Sequence, residues 1–432
     1  MIKSLSNFVL ISFLTCISFF IHTQLRIEVT QGIKDPIRIA VTPITWNLES
    51  PASHYIHQII SSDLSSFGEF DAIGTSEMLS LPQSEADIYY RDWSILKVDY
   101  LVVGSTAKLD QENLLEINYS IVDVVRRRAI HRARVVGKIT DLEALAHNMS
   151  DRIYREINGI SGIFSTRIAY INREGDSQGD YHLRFCDING DNDQIVLTSK
   201  EPIMSPDWSH DGKKLAYVSF EEGTSRIYIQ DLKTGEREAL KLENGINSSP
   251  TWSTKDDSLI AVLSKAGNPD VYKYDFKQKR WIQLTSHYGI DTEPDWSPKG
   301  DKFLFTSNRS GSPQIYEMNI SKNTIRRKTF IGDYNARARY TPDGKSFVFV
   351  HRVDGDFHIA IQNLKTSKIR ILTDTDLDES PTISPNGNLV LYATKNGTKD
   401  VLSGITIDGA TKFSLPTISG EVRDPSWSPL FK

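Results

Sequence analysis

The sequence predicts an α/β N-terminal domain followed by an all-β six-bladed β-propeller closed by the C-terminal strand. Three observations carry that expectation. A motif with Pro two positions before an aromatic residue and then a hydroxyl residue recurs along the second half of the chain. Its hydroxyl residues, Ser209, Ser253, Ser297, Thr341, Ser384 and Ser428, are spaced 44, 44, 44, 43 and 44 residues apart. Each interval holds four short apolar strands separated by turn residues, the pattern of one propeller blade.

The chain begins with a different signal. Lys3 precedes the apolar run Phe8 to Ile21, fourteen residues long, which is short for a bilayer span but suits the core of a secretory signal. Residues 1–23 are therefore read as a signal peptide cut after Thr23, with an uncleaved membrane anchor as the alternative. Cys16 lies in this run, so the exported chain would keep only Cys186 and could form no internal disulfide. A net charge of -5 and a pI near 6.1 lack the basic surface that nucleic-acid binding needs.

From residue 37 to 164 strand and helix patterns mix. Ile37 to Ile44 reads as a strand, the segment from Ser53 to Phe67 has apolar residues at helical spacing, and two further strands surround Val102 and Ile117. Leu142, Leu145, Ala146, Met149, Ile153 and Ile157 share one face of a second helix. Arg126 to Val136 is rich in arginine, but Arg132 and Arg134 alternate with Ala133 and Val135. A hairpin with one wet face explains that spacing better than a nucleic-acid patch.

The propeller is expected over residues 165–432. Counting second strands gives six, the first around Ile168; counting first strands also gives six, the last at Trp427, offset by one blade. The strand around Trp427 must then pair beside Ile168, which shuts the ring and removes two sheet edges. Turns such as Ser209 to Lys214 and Ser297 to Lys302 supply glycine where a positive φ is required, whereas the third blade has Thr254 to Asp257 with none.

These residues, from "GIFSTRIAYI" at the junction to "MSPDWSHDGKKLAYVSFE" and "DTEPDWSPKGDKFLFTSNRSGSPQIY" in the repeats, resemble the TolB family of the Tol-Pal envelope system, from Leu25 to Lys432. The resemblance implies a periplasmic, non-enzymatic, monomeric adaptor. It implies binding of the lipoprotein Pal over the propeller mouth and of TolA through residues 24–36. It also implies support of outer-membrane integrity and constriction during cell division, with further outer-membrane proteins as additional partners.

The Pal site is expected in what read as loops entering the innermost strands: Met204, Ser205, Ser248, Ser249, Asp291, Thr292, Glu293, Ala336, Arg337, Asp378, Glu379, Ser380, Val422 and Arg423. With Glu421 and Asp424, the carboxylates would make this mouth mostly acidic, against Arg337 and Arg423, and steer a basic ligand or weakly hold a divalent cation. Alternatively they are solvated turn residues or strand-start caps. The TolA segment is Gln24, Leu25, Arg26, Ile27, Glu28, Val29 and Thr30, whose alternation permits addition to a partner's sheet edge. It could equally be a strand of its own domain.

A propeller-bearing serine hydrolase is the rival reading, because Gly175 to Gly179 fits G-x-S-x-G around Ser177. That motif needs a helix after the serine, and the residues following it read as a strand. Asp187 to Asp193 begins like a calcium loop, but Asn192 stands where glycine is required and Thr198 where the bidentate glutamate belongs, so a turn of the first blade is expected.

Overall fold

The computed structural model of the chain describes residues 26–29, 36–45, 56–109, 113–175, 179–416 and 420–431. The signal-peptide reading falls outside these residues, as do Gln24, Leu25, Thr30 and Ser177. Among the described residues no helix is long and apolar enough to cross a membrane.

The N-terminal region is a five-stranded sheet in the order Phe70–Ala72, Ile37–Val41, Tyr100–Lys108, Leu114–Asp123, Arg128–Lys138. The first two pairings are parallel and the last two antiparallel. Among the described residues three α-helices accompany it: α1 (Ile56–Ser65), α2 (Tyr90–Ile95) and α3 (Leu142–Asn158). The expected apolar face of α3 is buried at Ala146, Met149 and Ile153, and the helix stops at Gly159, whose φ of 78° ends the ladder in the left-handed conformation. Trp93 of α2, which the periodicity did not mark, fills the other face of the sheet beside Ala40, Leu101 and Val103. The arginine-rich stretch is the expected hairpin strand, with Arg132 paired to Glu85 at 2.6 Å and Arg134 to Glu116 at 2.6 Å.

Six antiparallel sheets follow, one per repeat. Blade 1 combines Glu421–Trp427 with Arg167–Arg173, Tyr181–Asp187 and Gln194–Ser199, and Trp427 lies opposite Ile168. The ring is therefore closed by the strand that the offset count required. Trp427 is 8% exposed; its indole N–H donates to Thr166 Oγ1 at 2.8 Å and its backbone N–H to Thr382 Oγ1 of blade 6 at 3.2 Å. The Asp187 to Asp193 segment is the turn of blade 1 that its departures from a calcium loop predicted.

Two features differ from expectation. The segments taken as loops ahead of the inner strands are the first halves of those strands: Ile203–Trp208, Asn247–Trp252, Asp291–Trp296, Asn335–Tyr340, Glu379–Ile383 and Glu421–Trp427. Each breaks register once, between Met204 and Asp207 in blade 2 and at the matching place in the others. A proline follows the break in five of them, and proline is tolerated in a strand where a bulge frees the ladder. In the third blade, Asp256 takes the glycine's place at φ 57°, and its carboxylate accepts the backbone N–H groups of His210 and Asp211 from blade 2.

The N-terminal region packs against blades 1 and 6 through one continuous core that includes Phe67, Tyr154, Phe164, Leu389, Phe413 and Trp427. Its polar contacts come from the turn after the sixth inner strand, where Asn386 donates to Ser161 O and Asn388 to Tyr154 Oη. That turn lies at the exit end of the inner strands, opposite the end at which they enter the ring.

Candidate functional site

The six register breaks place one residue per blade in the left-handed region: Ser205, Ser249, Glu293, Arg337, Ser380 and Asp424, with φ between 49° and 54°. None is glycine, so each carries a backbone cost of about 1–2 kcal/mol. Repetition of an unfavourable conformation at six equivalent positions marks a site that the surrounding structure enforces. All six line one cavity on the propeller axis, together with Pro206, Pro250, Pro381 and Pro425.

Within that cavity a polar network crosses the ring. Arg337 Nε donates to Glu293 Oε1 at 2.8 Å, and Nη1 donates to Asp424 Oδ1 at 2.9 Å and to Ser380 Oγ. Ser380 Oγ donates to Asp424 Oδ1 at 2.9 Å. Two carboxylates also reach the backbone of the next blade, Asp424 Oδ2 accepting from Ser205 N at 3.0 Å and Glu293 Oε2 from Arg337 N at 3.0 Å. Burial works against the Arg337 charge, but Asp424, Glu293 and Glu379 together hold its basicity above the ordinary value.

One layer deeper, Asp207 and Asp295 repeat the same inter-blade link by accepting the N–H groups of Trp252 and Tyr340, each at 2.8 Å. Burial pushes the Asp207 carboxyl up to about 7 and the Asp295 carboxyl up to about 6, although these N–H bonds and the charge of Arg339 act in the opposite direction.

The expected site residues occupy three positions on the inner strands. Ser205, Ser249, Glu293, Arg337 and Ser380 form the left-handed ring just described. Asp424, which the site reading left out, completes it. Met204, Ser248, Thr292, Ala336, Glu379 and Arg423 precede the ring; Glu379 is exposed, Ala336 is buried, and the other four are half-buried. Asp291, Asp378 and Val422 come one step earlier and are buried, at 0%, 0% and 2% exposure.

This burial changes their role, because a partner cannot reach them. Asp291 is ion-paired with Arg309 at 2.6 Å. Asp378 accepts the hydroxyls of Thr373 and Thr375. At the matching place in blade 3, Asn247 donates to Glu243 O and Gly245 O, and in blade 5 Asn335 donates to Ile331 O. These side chains brace the segments that lead into the inner strands.

The expected field of the mouth shrinks accordingly. Asp291 faces Arg309, Glu293 and Asp424 face Arg337, and Glu421 lies 3.4 Å from Arg423. Arg337 and Arg423 are the cations expected at the mouth, but spacing could not reveal Arg309, 18 residues from Asp291, or the pairing of Arg337 with Asp424, 87 residues away.

The braced segments carry large apolar side chains in water: Tyr288 at 86% exposure, Phe330 at 68%, Ile331 at 64%, with Ile246, Ile290 and Leu377 between 44% and 48%. The sequence reading missed these residues. A signal existed, because each lies between an outer strand and the next inner strand, where neither strand alternation nor turn chemistry calls for an apolar residue.

Large apolar side chains exposed together beside a polar cavity mark a surface suited to docking another protein. The axial cavity itself has a volume of about 50 Å³. Small-molecule sites run to about 300–1,000 Å³. The mouth therefore has the shape to be covered by a macromolecule rather than filled by a metabolite.

Of the segment expected to bind TolA, Arg26–Val29 is a strand, paired antiparallel with Thr411–Ser414 as the fifth and outermost strand of blade 6. It therefore lies along the chain's own propeller. The strand Tyr181–Asp187 follows the G-x-S-x-G sequence where a nucleophile elbow needs a helix.

Comparison with known proteins agrees with this architecture. The description "TolB amino-terminal domain" matches residues 25–130 and "TolB beta propeller domain" matches residues 154–431. The "Tol-Pal system protein TolB" of Marinomonas sp. (strain MWYL1) is 56% identical over 422 residues, covering 97% of this chain and 98% of the relative. That of Hahella chejuensis (strain KCTC 2396) is 54% identical over 414 residues, 96% of each. The crystal structure of TolB from Acinetobacter baumannii aligns with a TM-score of 0.84 at 36% identity, covering 94% of this chain and all of that one.

Proposed function

This chain belongs to the TolB family of the Tol-Pal system, and on that premise we propose that it is a periplasmic, non-enzymatic adaptor that grips two envelope proteins. In this reading residues 1–23 are removed on export, residues 37–164 form the smaller domain and residues 165–432 the propeller. The lipoprotein Pal covers the propeller mouth, and TolA takes up residues 24–36 as an added strand. Joining the two supports outer-membrane integrity and constriction at division.

The observation that carries the Pal assignment is the exposed apolar rim of Tyr288, Phe330 and Ile331 around the six left-handed residues. Aromatic side chains that become buried against a partner are among the residues that dominate the affinity of protein interfaces, and the polar groups beside them help to fix the register of the partner. Met204, Ser205, Ser248, Ser249, Thr292, Glu293, Arg337, Glu379 and Arg423 have the exposure for direct contact, and Ser380, at 6%, supports them from within the ring. Asp291, Ala336, Asp378 and Val422 act behind them. A divalent cation at the mouth is a lesser part of the proposal, because Glu293 and Asp424 already face Arg337.

Calorimetric titration of the full chain with Pal tests the mouth. Tyr288→Ser and Phe330→Ser should each weaken binding at least tenfold, and Glu379→Lys should change its salt dependence. Indifference to all three would reject the mouth as the site. For TolA, the segment must first leave the edge of blade 6. Deleting residues 24–32 should abolish TolA binding and leave Pal binding in place, and unchanged TolA affinity would reject the strand-addition role.

A further inference from the structure

A second cluster of ligand-bearing side chains lies at the other end of the propeller, where α3 meets blade 1. Glu143 and His147 stand one turn apart on the same face of α3, and Asp187 ends the strand Tyr181–Asp187. One ring nitrogen of His147 and one carboxylate oxygen from each of Glu143 and Asp187 lie within 4.8 Å of one another.

His147 is prepared from behind. Its Nδ1 lies 2.9 Å from Oδ2 of the buried Asp63, which also accepts the hydroxyl of Ser150 at 2.6 Å. His147 as a whole is 8% exposed, and its Nε2 is buried without a hydrogen-bond partner. A buried polar atom left without a partner needs a reason. A carboxylate that holds one imidazole nitrogen and leaves the other open to a ligand is how metal-ligating histidines are oriented.

We propose that Glu143, His147 and Asp187 bind one divalent first-row transition-metal ion of the Zn²⁺ type, with Asp63 fixing the His147 ring. An imidazole nitrogen among the donors favours such an ion over Mg²⁺ or Ca²⁺, which take oxygen ligands throughout. Asp187 binds through one oxygen, because Asn192 Nδ2 donates to its Oδ2 at 2.7 Å and Arg167 Nε stands 3.7 Å from its Oδ1. The exposed Glu143 side chain closes the remaining distance, since tetrahedral ligands at ~2.0 Å from zinc sit ~3.3 Å apart. Two of the ligands come from α3 and one from blade 1, so the ion would tie the N-terminal region to the propeller. That contact is independent of the mouth and of the functional reading above.

The test uses tag-free full-length protein freed of metal by chelator, titrated with Zn²⁺ by calorimetry and with Co²⁺ by visible absorption. One equivalent of each should bind, Zn²⁺ should raise the melting temperature, and Glu143→Gln should weaken both by at least tenfold without altering the apo fold. His147→Gln should abolish binding; if that variant does not fold, Asp187→Asn decides in its place and should also weaken binding at least tenfold. Absence of one-equivalent binding would mean that Nε2 simply carries a proton among carboxylates, and the proposal fails. It fails equally if Glu143→Gln binds Zn²⁺ as tightly as the native chain.

Discussion

Replacing Arg337 by methionine should expose how much the propeller depends on one cation at its axis. The guanidinium sits on blade 5 and bonds Glu293 of blade 4, Asp424 of blade 1 and Ser380 of blade 6, so one side chain joins four blades. Two charge-assisted bonds at 2.8 and 2.9 Å are lost, and two carboxylates are left without the cation they share. The Arg337 side chain is 35% exposed, which screens part of the effect, and its partners are 21% and 11% exposed. A fully buried pair broken on one side costs about 3–5 kcal/mol. Partial exposure brings the expectation at pH 7 to about 3 kcal/mol.

The pH dependence discriminates further. Burial pushes the Asp424 carboxyl up, but Arg337, the Ser205 N–H and the Ser380 hydroxyl outweigh it and hold the group below its ordinary value. A depressed acid contributes stability that is present above its unfolded value, about 3.9, and is lost as pH falls through the folded one. The penalty of Arg337→Met should therefore be largest at neutral pH and shrink to about 1 kcal/mol near pH 4, where the abandoned carboxylates take up protons. Urea unfolding followed by tryptophan fluorescence at both pH values measures this. Adding Asp424→Asn to Arg337→Met should recover more than half of the loss at pH 7. A penalty below about 1 kcal/mol at pH 7, or one that does not change with pH, would refute the network as a source of stability.

Two further outcomes are expected. Trp427→Ala should destabilise the chain by about 3–5 kcal/mol, the range for deleting a buried tryptophan, and open blade 1 to limited proteolysis under native conditions. Trp252→Ala, at the same ring position but with an indole N–H that bonds to nothing, should cost less. Equal protease resistance of Trp427→Ala and the native chain would count against the clasp. Asp207→Asn should flatten the stability profile between pH 4 and 8, because an acid raised to about 7 contributes stability that is full below pH ~4 and lost as pH rises through 7. The variant should exceed the native chain by about 2 kcal/mol at pH 8 and match it at pH 4, measured by thermal melts. An unchanged slope would show that the Asp207 carboxyl is not raised.

The propeller was legible because its information is periodic. A 44-residue step, the Pro-x-aromatic-hydroxyl motif and the Gly-bearing turns report local geometry that each residue satisfies within its own blade. Closure was legible too, because the offset between first and second strands admits only one pairing. The ring of left-handed residues was not. Glu293, Arg337 and Asp424 hold φ near 50° without a glycine to announce it, and the prolines after the breaks read as loop signals. Whether a carboxylate faces water or a cation depends on contacts between blades, and sequence spacing carries no record of those. The same limit hid Asp63 behind His147, 84 residues apart.

The clasp of blade 1 also sets an order of events. Thr166 and Trp427, which meet through one hydrogen bond, are separated by 261 positions, and five other blades are made between them. Closing so large a loop is slow, and long-range pairing forms late. While the chain emerges residue by residue, the strand Arg167–Arg173 waits with a bare flank, and each finished blade presents its own. A polypeptide interrupted before residue 421 would keep that flank for good, inviting a foreign strand or a protease, so the ring gains its sealed rim only when its last inner strand arrives.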